Sequence, residues 1–348
     1  MLRRLGGWVA ALGLAGISSC ASGSGFDVEA PEKNTLHLQE RLAAQDGAIV
    51  SVVGVSVTEP WENVPPRTRD RFDEADWSAA KEGLSGRADL VTYSSDSLRI
   101  GSFLVRPKSI EGRRLGAVIV NRDGIANRGL DENELLVELS RYAERGYVAA
   151  ATTYRGNRLS QGVDEFGGDD VRDVLALTAL LQRLDYVDPS RIFMVGFGRG
   201  GLMTYRALEM GAPIRAAAVI SGAADIEEIS AIDQEIEGGF EEGGGWPGLR
   251  EIHGDWTGPD KESQLNRRSP RERADKLKVP LLIVHGRLDE QVPVTQALDV
   301  IRHLRDAGTP VESMVYGYGD HALLDQRKDW QSRVMDWIDR HDTRAMFK

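Results

Sequence analysis

A chain of 348 residues, 41% hydrophobic and 28% charged, has the balance of an ordinary soluble globular protein. Its length suits one large α/β domain with extensions, or two small domains. The net charge of −11 supplies no basic stripe to track phosphates and argues against nucleic acid as a partner. The six histidines show no H-x-x-x-H or H-E-x-x-H spacing, so no metal and no other cofactor is expected.

Residues 1–19 read as a leader rather than as part of the fold. Arg3 and Arg4 precede a 13-residue apolar stretch, Leu5–Ile17, which is too short to span a bilayer as a helix. Ile17-Ser18-Ser19-Cys20 closes it, and Cys20 is the sole cysteine, which excludes an internal disulfide. This ending resembles a bacterial lipobox. It implies a lipidated Cys20, attachment to a membrane on the periplasmic side, and, with Ala21 next, the outer membrane. Ser22–Gly25 reads as a flexible tether, and residues 20–87 as tether and N-terminal extension. Within them, Leu36–Ala44 suggests a short helix, Ala48–Val57 a strand, and Trp61–Pro66 a break in regular structure.

From Ala88 the rhythm is regular. Asp89–Tyr93 and Leu98–Arg106 form an expected antiparallel pair, Leu115–Val120 a buried strand, Leu130–Arg145 a helix and Tyr147–Thr153 a strand. Asp169 or Asp170 is placed to cap a helix running through Leu184. The strand Ile192–Val195, a glycine-rich turn, a helix from Leu202 to Met210 and the strand Ala216–Ser221 follow. Past an insertion of about 222–276 come the strand Pro280–His285, the helix Val294–Asp306, the strand Val311–Val315 and a helix Leu323–Asp339. Alternating strands and helices predict a mostly parallel sheet covered on both faces. In the insertion, Asp225–Glu242 holds eight acidic residues, and Ile226, Ile229, Ile232 and Ile236 share a helical face. The segment reads as an amphipathic cap helix with a solvated acidic side, or as a lid that repels anions, with Gly238–Gly248 as its mobile part.

The glycine turn carries the functional information. Gly196-Phe197-Gly198-Arg199-Gly200 is the frame of a G-x-S-x-G nucleophile elbow between strand and helix, with glycine where the hydroxyl belongs. The elbow holds its central residue in a conformation that costs a non-glycine residue about 1–3 kcal/mol, a strain glycine avoids. Gly196, Gly198 and Gly201 also spell G-x-G-x-x-G, with Asp225 placed 24 residues past Gly201, so a dinucleotide-binding oxidoreductase is a second reading. Two later loops favour the first. The strand at Leu281–Val284 leads to Asp289, and the strand at Val311–Val315 leads to His321, the order Ser…Asp…His of α/β-hydrolases.

Over about Ala88–Ile338 the chain resembles the prolyl oligopeptidase family of serine hydrolases, in a form without a propeller. Tyr154–Asn157, Asp164–Gly168, the elbow frame, His285…Asp289…Val292-Pro293 and Gly319-Asp320-His321 carry the resemblance. It implies an α/β-hydrolase fold over 88–345, with Asp289 as triad acid and His321 as general base. It further implies an oxyanion hole built from the amide of Arg199 and the turn Asn121-Arg122-Asp123-Gly124. That turn departs from the family, where glycine usually stands at Asp123, and a carboxylate there would repel a developing oxyanion. Thr204 and Ser221 are poorly placed to replace the serine. Three readings of the site follow: a pseudoenzyme whose crevice binds a small peptide- or ester-like ligand, a weak hydrolase in which His321 activates water, or a serine hydrolase in which Gly198 is not the native residue.

Overall fold

The computed structural model describes residues 46–342 apart from 111, 113, 126, 128 and 236–259. The leader, Cys20, the helix expected at Leu36–Ala44 and the segment Gly238–Gly248 lie outside the described residues.

Nine strands form one sheet: β1 (Ile49–Val55), β2 (Arg87–Ser95), β3 (Leu98–Arg106), β4 (Leu115–Asn121), β5 (Val148–Thr152), β6 (Val187–Phe197), β7 (Ala216–Ile220), β8 (Leu281–Gly286) and β9 (Val311–Tyr316), in the spatial order 1-2-3-5-4-6-7-8-9. β2 runs antiparallel to its neighbours β1 and β3, and β3 to β5, while β5, β4, β6, β7, β8 and β9 are parallel. The central strands are short apolar runs, such as Val148–Thr152 and Ala216–Ile220, buried at every position. That pattern belongs to strands covered by helices on both faces.

Alternate residues of each strand feed two cores. Ile119, Met194, Val219 and Ile283 pack with α4 (Val171–Arg183), α5 (Arg199–Glu209) and α8 (Val294–Asp306). Their neighbours Val118, Phe193, Ala218 and Val284 pack on the opposite face with α3 (Glu132–Glu144) and α9 (Arg327–His341). Asp131 caps α3 by accepting the Glu134 amide at 3.0 Å. Trp337 of α9 is buried and donates its indole N–H to the Ala217 carbonyl at 2.9 Å, fixing that helix to β7.

Three expectations need correction. The stretch Trp61–Pro66 holds a 3-10 turn at Trp61–Asn63 and the start of α1 (Pro66–Arg71). Proline is tolerated in the first helical turn, where its missing N–H has no partner to lose. Second, Asp170 stands at the N-cap of α4 but does not cap it, because its carboxylate is turned to Gly167 N–H and Arg199. Third, α9 begins at Arg327 rather than Leu323, since Leu323 is buried with a left-handed φ of 50°. The segment ahead of residue 88 also does more than pack on the sheet. β1 is an edge strand of it, and α2 (Glu74–Lys81) seats Trp77, whose indole donates to Glu59 O at 2.8 Å. In the insertion, α6 (Ile226–Glu235) buries Ile226 and Ile229 against Phe166, Leu202 and Leu265 of α7 (Lys261–Arg268), in accord with the amphipathic reading.

The approach of α5 to β4 is set by glycine. A Cβ at Gly200 would fall 1.8 Å from the Asn121 carbonyl oxygen, whereas one at Gly211 would meet nothing within 4 Å. Gly211→Ala is therefore expected to cost only the left-handed penalty of its φ of 83°, about 1–2 kcal/mol. Gly200→Ala, which must push two backbones apart, is expected to cost about 3 kcal/mol or more. Urea unfolding of the two variants side by side checks the difference.

Candidate active site

The carboxyl ends of β4, β6, β8 and β9 bring four turns to one crevice. This is where ligands bind in open α/β sheets. The elbow forms as expected: Gly198 sits between β6 and α5 with φ 55° and ψ −118°. Its amide donates to Ile220 O at 3.0 Å, and its carbonyl accepts from Gly201 N at 3.0 Å and Ala223 N at 3.2 Å. The residue's conformation is thus held from three sides.

His321 and Asp289 meet as expected. His321 Nδ1 donates to Asp289 Oδ2 at 2.9 Å, and only 6% of His321 is exposed. The other carboxylate oxygen accepts the amides of Gln291 at 3.0 Å and Val292 at 2.8 Å, which lock the acid in its turn. His285, quoted above only as part of a motif, has a part in this arrangement. Its Nε2 lies 2.9 Å from Val292 O and 3.2 Å from the same Asp289 Oδ2, so one oxygen faces two imidazoles. Both neighbours of Nε2 are acceptors, which puts the proton on that nitrogen.

Burial would raise the pKa of Asp289, but hydrogen bonds from His285 and His321 outweigh it and hold the carboxyl well below its usual range. Burial alone would lower His321. Its bond to Asp289 and the charges of Asp289, Asp123 and Asp320 instead raise it above 6.5, favouring the imidazolium. Phe197 covers the ring edge-on, with centroids 5.4 Å apart.

Asp123 decides the character of the site. Its Oδ1 accepts the backbone N–H of Arg199 at 2.8 Å, the donor expected to serve an oxyanion. The same carboxylate occupies the space beside Gly198. A Cβ on that glycine would lie 2.5 Å from Oδ1 and 3.0 Å from Oδ2. The place that a side chain on residue 198 would take is filled by an aspartate from the neighbouring strand end.

The remaining expected residues divide. The Arg199 amide is at the elbow, but its side chain leaves it. The guanidinium is fully buried, paired with Asp164 at 2.6 and 2.7 Å and with Asp170 at 2.6 Å, and lies over the rings of Tyr154 and Phe166. Burial would depress its pKa, yet Asp164 and Asp170 hold it above the usual value. It also donates to Gly124 O at 2.8 Å, anchoring the residue after Asp123. The side chain of Arg122 is not turned to the elbow either. It donates to Thr153 O at 2.8 Å and Asp123 O at 2.9 Å, and burial followed by repulsion from Arg199 lowers its pKa to about 10. Thr204 is buried and donates to Gly200 O, and Ser221 is buried at the end of β7. The Arg199–Asp164–Asp170 cluster escaped the sequence reading. Its one signal was the recurrence of Tyr154–Asn157 and Asp164–Gly168 as family-like stretches without a chemical role.

Residues 134–343 match the profile of the prolyl oligopeptidase family. The chain belongs to that family. The uncharacterized peptidase YtmA of Bacillus subtilis is 27% identical over 239 residues, which are 66% of this chain and 84% of that protein. Dipeptidyl-peptidase 5 of Porphyromonas gingivalis is 26% identical over 57% of this chain, which spans only 29% of it. In fold, the chain superimposes on a puromycin-hydrolyzing peptidase of Mycobacterium tuberculosis with a TM-score of 0.59 at 18% identity, covering 76% of this chain and 40% of that one. The Pyrococcus horikoshii acylaminoacyl peptidase gives 0.55 at 22% identity, with 71% and 40% covered. The fold is that of the α/β-hydrolase peptidases, and the dinucleotide reading of the glycine turn falls with it.

The charges around His321 give a titration with a definite sign. A raised imidazole contributes stability that is full below about 6.5 and fades as pH rises through its folded value. The ring of His321, followed by NMR, is expected to titrate above the ordinary midpoint. Asp123→Asn should move that midpoint downward by removing one of its anionic neighbours, and an unmoved midpoint would refute the electrostatic link.

Proposed function

We propose that this family member has lost serine-based acyl transfer and that its crevice binds a small peptide- or ester-like ligand without cleaving it by the family mechanism. The observation that carries the reading is the Asp123 carboxylate at the Arg199 amide, in the space a residue-198 side chain would need. Acyl transfer needs that amide for the tetrahedral oxyanion. Here a fixed negative charge already accepts its hydrogen, so the site lacks a hydroxyl and opposes the charge that would develop.

Fluorophosphonate probes are expected to leave the chain unlabelled. Restoring the hydroxyl alone should not suffice, because Gly198→Ser drives Cβ into the carboxylate. Asp123→Gly alone frees the amide but supplies no nucleophile. The double variant Asp123→Gly/Gly198→Ser is expected to gain labelling and ester hydrolysis far beyond the sum of the single changes, and His321→Ala should abolish both. Strong, His321-dependent ester hydrolysis by the unaltered chain would defeat the reading and favour activation of water by His321.

We further propose that the mature protein is a lipoprotein of the bacterial envelope, anchored through Cys20 at the outer membrane and facing the periplasm. The basic residues Arg3 and Arg4, the short apolar stretch and the sole cysteine at its end support this. Cys20→Ala is expected to leave unprocessed or soluble protein without an acyl mass. Identical fractionation of the two forms would refute the anchor.

A further inference from the structure

The carboxylate that blocks serine chemistry is itself a nucleophile in the right place. Asp123, half-buried, stands beside the bare face of Gly198, with Oδ1 fixed on the Arg199 amide at 2.8 Å. Its turn is braced on both sides: Arg122 donates to the Asp123 carbonyl at 2.9 Å and Arg199 to the Gly124 carbonyl at 2.8 Å. Across the crevice stands His321, oriented by Asp289. We propose that Asp123 takes over the position of the missing serine and that the chain opens epoxides to vicinal diols through an ester of Asp123. The proposal rests on the serine-free reading of the site but concerns a different electrophile.

The chemistry selects that electrophile. A carboxylate attacking an amide or ester carbonyl forms a tetrahedral adduct that expels the carboxylate again faster than it expels the amine or alkoxide to give an anhydride. Attack on a saturated carbon forms an ordinary ester, and the opening of a strained three-membered ring drives it. An epoxide oxygen needs a proton as it leaves, and His321 is the acid at hand. Its imidazolium is favoured by the carboxylates of Asp289 and Asp123. A halide leaving group would need no such acid.

The cycle balances on groups already described. Asp123 Oδ2 bonds to a ring carbon, the carbon–oxygen bond of the ring breaks, and the freed oxygen takes the proton of His321 Nε2. This leaves a 2-hydroxyalkyl ester and a neutral imidazole. His321 then takes a proton from water as the water oxygen adds to Asp123 Cγ. Negative charge develops on Oδ1, the atom that already accepts the Arg199 N–H. The bond from Cγ to Oδ2 breaks, the diol departs with Oδ2 and the proton from His321, and the new carboxylic acid returns its proton to the imidazole. One epoxide and one water are consumed and one diol is formed. The oxyanion donor is thereby used on the enzyme's own ester rather than on a substrate carbonyl.

The full chain, incubated with styrene oxide in heavy-oxygen water, tests this by peptide mass spectrometry. Under single turnover, the heavy oxygen is expected in the carboxylate of Asp123 and not in the diol. Asp123→Asn should lose both diol formation and label. Gly198→Ala, whose methyl would fall in the space of the carboxylate, should lose them while a thermal melt reports a folded chain. The isotope in the unaltered protein is decisive even if a variant fails to fold. Diol formed without label in Asp123 would overturn the proposal. So would the absence of diol from both styrene oxide and an aliphatic terminal epoxide. Either result, in a chain still silent to fluorophosphonates, leaves the serine-free reading standing, whereas fluorophosphonate labelling removes that reading itself.

Discussion

The first turn of α5 presents backbone N–H groups that no residue of the helix can satisfy. In this fold the turn points into the crevice, so whatever meets the Arg199 amide determines the chemistry available there. In a serine hydrolase that partner is a transient oxyanion, while here it is the permanent charge of Asp123. The glycine at 198 makes this possible, because its φ of 55° needs no side chain and its bare Cα leaves room for a carboxylate. The imidazole of His321, raised first by Asp289, is raised further by the charge at that contact.

Behind the crevice, a buried cation holds the arrangement rigid. Arg199 is enclosed by Asp164, Asp170, Tyr154 and Phe166, with no part of its side chain exposed. A buried charge that loses a partner costs about 3–5 kcal/mol, so the cluster tolerates little change in any member. It joins the loop after β5, the start of α4 and the turn after β4 to the elbow helix. The cost to α4 is visible: Asp170, which could have capped that helix, gives its carboxylate to Arg199 instead. Desolvation raises the pKa of Asp170 against the attraction of Arg199 and the hydrogen bond from Gly167 N–H, which support its ionised form.

Much of the fold was legible because its signals are local and periodic. Apolar runs such as Ala216–Ile220 mark buried parallel strands, and the helix at Val294–Asp306 begins and ends where its pattern does. The Asp289–His321 pair was legible because each follows a strand of the same sheet. Contacts between distant segments were not legible. Nothing in the sequence near Asp123 reveals that its side chain turns to residue 198 rather than to solvent, since that depends on how closely β4 and α5 approach. The burial of Arg199 was hidden for a similar reason, as its partners lie 35 and 29 positions earlier. The sharing of Asp289 Oδ2 between His285 and His321 emerges only when β8 and β9 are paired.

The mutual fit of Gly198 and Asp123 also bears on descent. A serine can return to residue 198 by one base change, but the side chain then meets a carboxylate that must be displaced. A glycine can return to residue 123, but it leaves a turn with nothing to attack from. If the chain has lost serine chemistry as proposed, neither step alone restores it, so selection for that chemistry has no single substitution to act on. On the reading proposed above, the pair would act as a ratchet: each residue guards the other against a single change, and the crevice is left to whatever a fixed carboxylate can serve.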